Sequence, residues 1–137
     1  MKIVPGKKHL ITTKNTTYAE DKIWNKRYAL AGALELGAFV DHYMRPSLFQ
    51  KVSHPTFIGY YYKNKNEQDT VVSVPAIKKM SQNLSTRTKS LYISNFPEAN
   101  SHVICNSLVS KSINSVIDNT TTFLKGLDSH KNREVSG

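Results

Sequence analysis

Residues 56–74 read Thr56-Phe57-Ile58-Gly59-Tyr60-Tyr61-Tyr62-Lys63-Asn64-Lys65-Asn66-Glu67-Gln68-Asp69-Thr70-Val71-Val72-Ser73-Val74. Both ends are β-branched and aromatic, the side chains that fit a pleated, half-buried surface. The middle, Lys63 to Asp69, is polar and turn-rich. Two such runs, Thr56–Tyr62 and Thr70–Val74, joined by about seven residues predict a hairpin with a protruding basic loop. Further on, Leu91–Phe96 reads as a third strand, completing a small antiparallel sheet.

The flanks read as helices. Upstream, Thr17 with Glu20 three residues later is a capping box, and Asp21 adds a favourable charge in the first turn. That helix should run to about Met44, since Pro46 stops it and disfavours helical geometry at Arg45. Immediately after the expected hairpin, Pro75 suits the first turn of a short helix ending near Leu84, with Ile77 and Met80 pointing inward. Pro97-Glu98 opens the last element, where Cys105, Val109, Ile113, Val116, Phe123 and Leu127 form one apolar stripe, widened by Leu108, Ile117 and Leu124. Asn119-Thr120-Thr121-Thr122 has poor helix propensity and predicts a break, and Gly126 a terminus. The expected fold is therefore α+β and mainly helical, with two long helices, near 17–44 and 98–127, packed on a small antiparallel sheet made of the hairpin plus one strand. Residues 1–16 would be an N-terminal arm carrying one short strand, Leu10 to Thr13. Residues 17–128 would be a single globular domain, and 129–137 a polar C-terminal tail.

Within the first long helix, Ala29, Ala33 and Gly37 recur every four residues and make a ridge with almost no side chain; Gly32 adds a second smooth spot. Each helical Gly costs roughly 1 kcal/mol relative to Ala, so a close helix contact, from this chain or a partner, is expected along that ridge. The alternative is a kink at Gly32.

Composition narrows the partners. The chain has 137 residues, 39% of them hydrophobic, which is too apolar for a disordered tail. One cysteine, Cys105, excludes an intramolecular disulfide and a multi-cysteine zinc site. The most apolar stretch, Tyr28 to Val40, is interrupted by Glu35 and falls short of the roughly 20 residues of a membrane span. No apolar run follows the first lysines, so neither a secretory signal nor a membrane span is expected, and the location would be intracellular (cytoplasm, nucleoid or nucleus) or a virion. Nineteen basic side chains against ten acidic ones give +9, which points to phosphate polymers, an anionic surface or an acidic protein. The excess is spread along the chain, and Lys outnumbers Arg, as an AT-rich coding sequence would also produce.

The candidate contact surface is Lys78 to Lys89. Lys78, Lys79, Arg87 and Lys89 alternate with Gln82, Asn83, Ser85, Thr86 and Thr88, and no acid occurs between Asp69 and Glu98. Cations meet phosphates, while amides and hydroxyls bond phosphate oxygens or base edges. A helix-turn-helix can be laid over Ile77–Gln82 and Thr86–Ser94, with Met80, Leu84 and Leu91 buried, but no Gly marks the turn. Tyr60, Tyr61 and Tyr62 beside Lys63 and Lys65 combine aromatic and basic groups as single-strand binders do, with Tyr61, Lys63 and Lys65 the candidate contacts. In a strand Tyr60 and Tyr62 would share one face and Tyr61 the other; the plainer reading makes one face core.

Leu91-Tyr92-Ile93-Ser94-Asn95-Phe96, followed by Pro97-Glu98, resembles the first-strand signature of an RNA-recognition domain, whose aromatic stacks on a base. That resemblance covers six residues; the later basic-Gly-aromatic run is absent, and the 41 residues that follow are too few for the domain. Its function is not carried over.

Catalysis finds little support. Asp41 and His42 are adjacent and form no orienting pair. On a helix His102 and Cys105 would share a face, yet two ligands do not make a metal site, and Cys105 lies on the apolar stripe where a buried thiol is the default. No phosphate loop, His-Glu-x-x-His or paired acids occur. No cofactor and no metal are expected. The leading expectation is a small, basic, non-enzymatic protein that contacts nucleic acid, DNA or RNA, mainly through phosphates. The alternative is a structural subunit of a larger assembly (virion, phage tail or filament), acting through protein–protein contacts and as a possible homo-oligomer.

Overall fold

The computed structural model describes residues 10–12, 27–86 and 90–134. The chain divides between Arg45 and Pro46 into two units.

In the first unit β1 (Leu10–Thr12) pairs antiparallel with β2 (Arg27–Ala29), Leu10 opposite Ala29 and Thr12 opposite Arg27. Helix α1 (Leu30–Tyr43) follows directly. The expected single helix over 17–44 is thus overturned: residues 27–29 are extended. The physical reason is a competing partner, because Leu10–Thr12 offers this backbone a ladder and Tyr28 prefers a strand. The Thr17–Glu20 box lies outside the described residues. Ala29, extended at φ −66° and ψ 131°, precedes the helix. The four-residue ridge accordingly loses its first member to β2, leaving Ala33 and Gly37 on α1. The Met44 N–H closes the last turn on the Val40 carbonyl at 2.8 Å, two residues before Pro46 forbids continuation. From Ala31 to Met44 every side chain is exposed.

The second unit contains α2 (Pro46–Phe49), β3 (Thr56–Tyr60), α3 (Val74–Gln82), β4 (Leu91–Asn95) and α4 (Ile113–Glu134). The antiparallel sheet of a hairpin plus one strand is overturned: β3 pairs with β4, in parallel, from Thr56–Leu91 to Tyr60–Asn95. Asp69 explains why. Its Oδ1 accepts the N–H groups of Val71 at 2.8 Å and Val72 at 2.9 Å, folding Thr70–Ser73 into a turn and taking the donors a hairpin ladder would need. Only an isolated antiparallel bridge, Tyr62 to Gln68, survives of the expected hairpin. Ser73 then caps α3, its Oγ accepting the Ala76 N–H at 3.3 Å, with Pro75 in the first turn. Strand, helix and strand thus form a β–α–β crossover, the connection parallel strands require. The helix-turn-helix is likewise excluded, since Leu91–Asn95 is a strand.

The long C-terminal helix begins at Ile113 rather than near 98. Residues 97–112 turn repeatedly because their own side chains satisfy the backbone: Ser101 Oγ takes Val103 N–H, Asn106 Oδ1 takes Leu108 N–H, and Ser110 Oγ takes Ser112 N–H. Asn100 sits at φ 51°, a left-handed conformation that Asn tolerates. The helix also runs through Asn119–Thr122 and past Gly126 to Glu134 instead of breaking. There Asn119 Nδ2 donates to the Ser115 carbonyl and Thr122 Oγ1 to that of Asp118.

The core comprises Tyr61, Phe96, Ala99 and Val116, with Phe57 and Ile104 against them. Phe57 stacks on Tyr92 at 5.6 Å and Phe123 closes on both, pairs worth about 0.5–1.5 kcal/mol each beyond their buried area. Gly59 lets the strand approach this cluster, since a Cβ there would stand 2.9 Å from the Phe96 ring. No helix among the described residues is long and apolar enough to cross a membrane.

Candidate functional site

Helix α3 is amphipathic. Val74 and Ser81 are buried seven residues apart, whereas Pro75, Lys78, Lys79 and Gln82 are exposed at the i, i+3, i+4, i+7 spacing of one face. The crossover sets this face beside the basic loop: Lys78 Nζ lies 4.8 Å from the centroid of the Tyr62 ring, within cation–π range. Lys63 and Lys65 follow Tyr62 in the chain and are exposed.

The loop that carries them is tied internally. Lys63 N–H donates to the Glu67 carbonyl at 2.9 Å, Asn64 Oδ1 accepts from the Asn66 and Glu67 N–H groups, and Gln68 Nε2 donates to the Lys65 carbonyl at 2.7 Å. Lys63 Nζ also pairs with Glu67 at 3.1 Å. Hydrogen bonding to Glu67 raises the Lys63 ammonium above its ordinary value. Asn64 first, then Lys63, lower the Glu67 carboxyl. Half of the loop's positive charge is therefore answered locally, and Lys65 is its outward cation. Asn95, at the end of β4, donates from Nδ2 to the Tyr62 carbonyl at 3.0 Å and anchors the base of the loop.

Between loop and helix start lies an open cleft of about 330 Å³, lined by Lys65, Asn66, Gln68, Asp69, Thr70, Ser73, Val74 and Pro75, one cation and one acid among them. It is not an amide cradle of the kind helix N-termini offer anions: Ser73 Oγ already takes the Ala76 N–H, and Pro75 has none. Its anion-attracting group is the Lys65 side chain.

The remaining sequence candidates fall in different places. Gln82 is exposed on the lysine face; Asn83 caps the end of α3, its Nδ2 donating to the Lys79 carbonyl at 2.7 Å. Arg87, Lys89 and Thr88 lie outside the described residues. Ser85 and Thr86 spend their hydroxyl protons within the protein, donating to the carbonyls of Gln50, Val52 and His54. Tyr61 is 8% exposed and belongs to the core, its hydroxyl donating to Asn100 Oδ1, while Tyr62 stands half-buried under Lys78. Alternation fails here because β3 ends at Tyr60, so the three tyrosines do not share one pleat.

Two residues depart from the sequence expectation. His102 does not share a helix face with Cys105, because 101–106 is irregular. Instead its Nδ1 faces Asp69 Oδ2 at 2.6 Å, across 33 residues. A carboxylate only accepts, so the proton sits on Nδ1. Burial alone would push the Asp69 carboxyl up; the His102 bond and the Val72 and Val71 N–H groups outweigh it and hold it below the usual carboxylate range. Cys105, expected as a buried thiol on a helical stripe, is exposed because the helix begins only at Ile113, and it borders an apolar pocket of about 340 Å³ along α4, with Ile113, Val116 and Ile117. Among the described residues no three His, Cys, Asp or Glu side chains gather to hold a metal. No protein-family model, curated protein or solved structure matches this chain.

Proposed function

We propose that this protein binds nucleic acid chiefly through phosphates, using the face formed by Lys65, Lys78 and Lys79 around Tyr62, with Gln82 and Lys63 at its margin. One observation carries this reading. Lys78 of α3 lies over the ring of Tyr62, the residue before Lys63 in the chain, which supports a surface shared by two lysine runs that are separate in the sequence. Lysine is a point charge without the planar fork that reads guanine, so the contacts are to backbone phosphate and the binding is tolerant of sequence. The test is the Lys78→Ala/Lys79→Ala double variant, titrated at several salt concentrations. The slope of log affinity against log salt should fall by roughly 0.9 per lost contact on duplex DNA or roughly 0.7 on single strands. An unchanged slope removes this face from the interface, and absence of binding by the wild type at low salt removes the reading.

The reading as a structural subunit draws on a different observation. Helix α1 exposes Leu34, Leu36, Phe39, Val40 and Tyr43, and no side chain of it is buried. A helix this apolar is ordinarily covered. Self-association through it would respond little to salt, which light scattering across a salt series distinguishes from phosphate binding.

A further inference from the structure

Resting on the nucleic-acid reading, we infer that Tyr62 is a stacking platform for an unpaired base, so that the strand bound at this face is single-stranded. The ring is half-buried, and the backbone that carries it is held before any ligand arrives. Asn95 fixes its carbonyl, the Tyr62–Gln68 bridge fixes its strand, and the hydrogen-bonded loop Lys63–Gln68 closes beyond it. A platform fixed in advance loses little conformational freedom on binding. The other aromatic side chains of this unit lack the combination: Tyr60, Tyr61 and Phe96 are buried, Phe57, Tyr92 and Phe123 pack on one another, and Phe49, half-buried at the end of α2, is not the ring under Lys78. Among the described residues Tyr62 is the aromatic with a lysine ammonium over its ring.

That ammonium explains how the face opens. Lys78 is exposed and rests on the ring by cation–π attraction alone, which phosphate outcompetes as a full charge. A phosphate that draws Lys78 aside leaves its place on the ring to the adjoining base. A duplex keeps its base faces stacked inside and has nothing to offer there, whereas every base of a single strand has a free face.

The experiment measures anisotropy of a labelled oligothymidylate and of a labelled duplex hairpin with wild type, Tyr62→Ala and Tyr62→Phe. Wild type should prefer the single strand. Tyr62→Ala should weaken oligothymidylate binding by roughly 5- to 150-fold, the loss of one stacked base, and leave duplex binding and the salt slope nearly unchanged. Tyr62→Phe should retain binding, since the ring face is kept. Photocrosslinking of a 5-iodouridine strand to wild type should map to Tyr62, which tests the contact without any substitution. Equal losses on both probes, a wild-type preference for duplex, or a crosslink elsewhere would overturn the stacking role while leaving phosphate binding intact. Absence of binding to either probe would overturn the nucleic-acid reading itself.

Discussion

The buried carboxylate of Asp69 and the half-exposed imidazole of His102 meet at 2.6 Å, joining the turn that starts α3 to the irregular segment after β4. Asp69 is 3% exposed at its side chain, and three donors converge on its two oxygens. Its folded-state pKa is depressed, so its contribution is fully present above the unfolded value, about 3.9, and is lost as pH falls through the folded value. Asp69→Asn should cost about 1–3 kcal/mol at neutral pH, because the amide presents N–H to a donor. Urea melts should show the gap to wild type narrowing below about pH 4. A gap that persists unchanged in acid would show that carboxylate charge is not what holds this turn.

Gly59→Ala should destabilise the second unit by about 1–3 kcal/mol through overpacking. The new methyl would meet the Phe96 ring at 2.9 Å and Ile104 at 3.1 Å, and Phe96, 2% exposed, has nowhere to go. Thermal unfolding checks this; a variant as stable as wild type would mean the strand can shift away from Phe96.

Local pattern made the strands at 56–60 and 91–95 and the helix behind Pro75 readable, because each depends on its own side chains. Pairing direction was not readable. It turns on one carboxylate choosing Val71 and Val72 N–H groups over solvent, and on a histidine 33 residues away that steadies it. The lysine face was half legible for the same reason. Lys78 and Lys79 stand together in sequence, but the contact with Tyr62 depends on the crossover, and the sequence points to Tyr61, which the structure buries, rather than Tyr62 as the aromatic of this face.

Asn119 shows a local signal reversed by tertiary structure. Poor in helix propensity, it sits inside α4 with Oδ1 accepting the Tyr92 and Ser94 hydroxyls, each at 3.1 Å, which fastens the helix to β4. Asn119→Ala should cost about 1–3 kcal/mol by leaving two partly buried hydroxyls without their acceptor. Asn119→Asp keeps that acceptor and loses only the donor to Ser115, so it should cost less. Equal losses for both variants would assign the effect to the helix rather than to the tie.

Ala33→Leu separates the two readings of α1. Ala33 is exposed, so the stability of an isolated chain should change by less than about 0.5 kcal/mol. If copies meet along Ala33 and Gly37, the added isobutyl group should lower the mass seen by light scattering. A wild-type oligomer that the variant leaves intact would clear this ridge of any interface.

The parallel register has a kinetic consequence. Each rung from Thr56–Leu91 to Tyr60–Asn95 closes a loop of the same length, so the ladder cannot zip outward from a turn as a hairpin does. The first rung bears nearly the whole entropy of closing the crossover, and the other four then form at little further loss. Folding of this unit should therefore wait on α3 and the Asp69 turn shortening the intervening chain. Helix-weakening changes on the solvent side of α3, such as Lys79→Gly, should slow folding more than they speed unfolding.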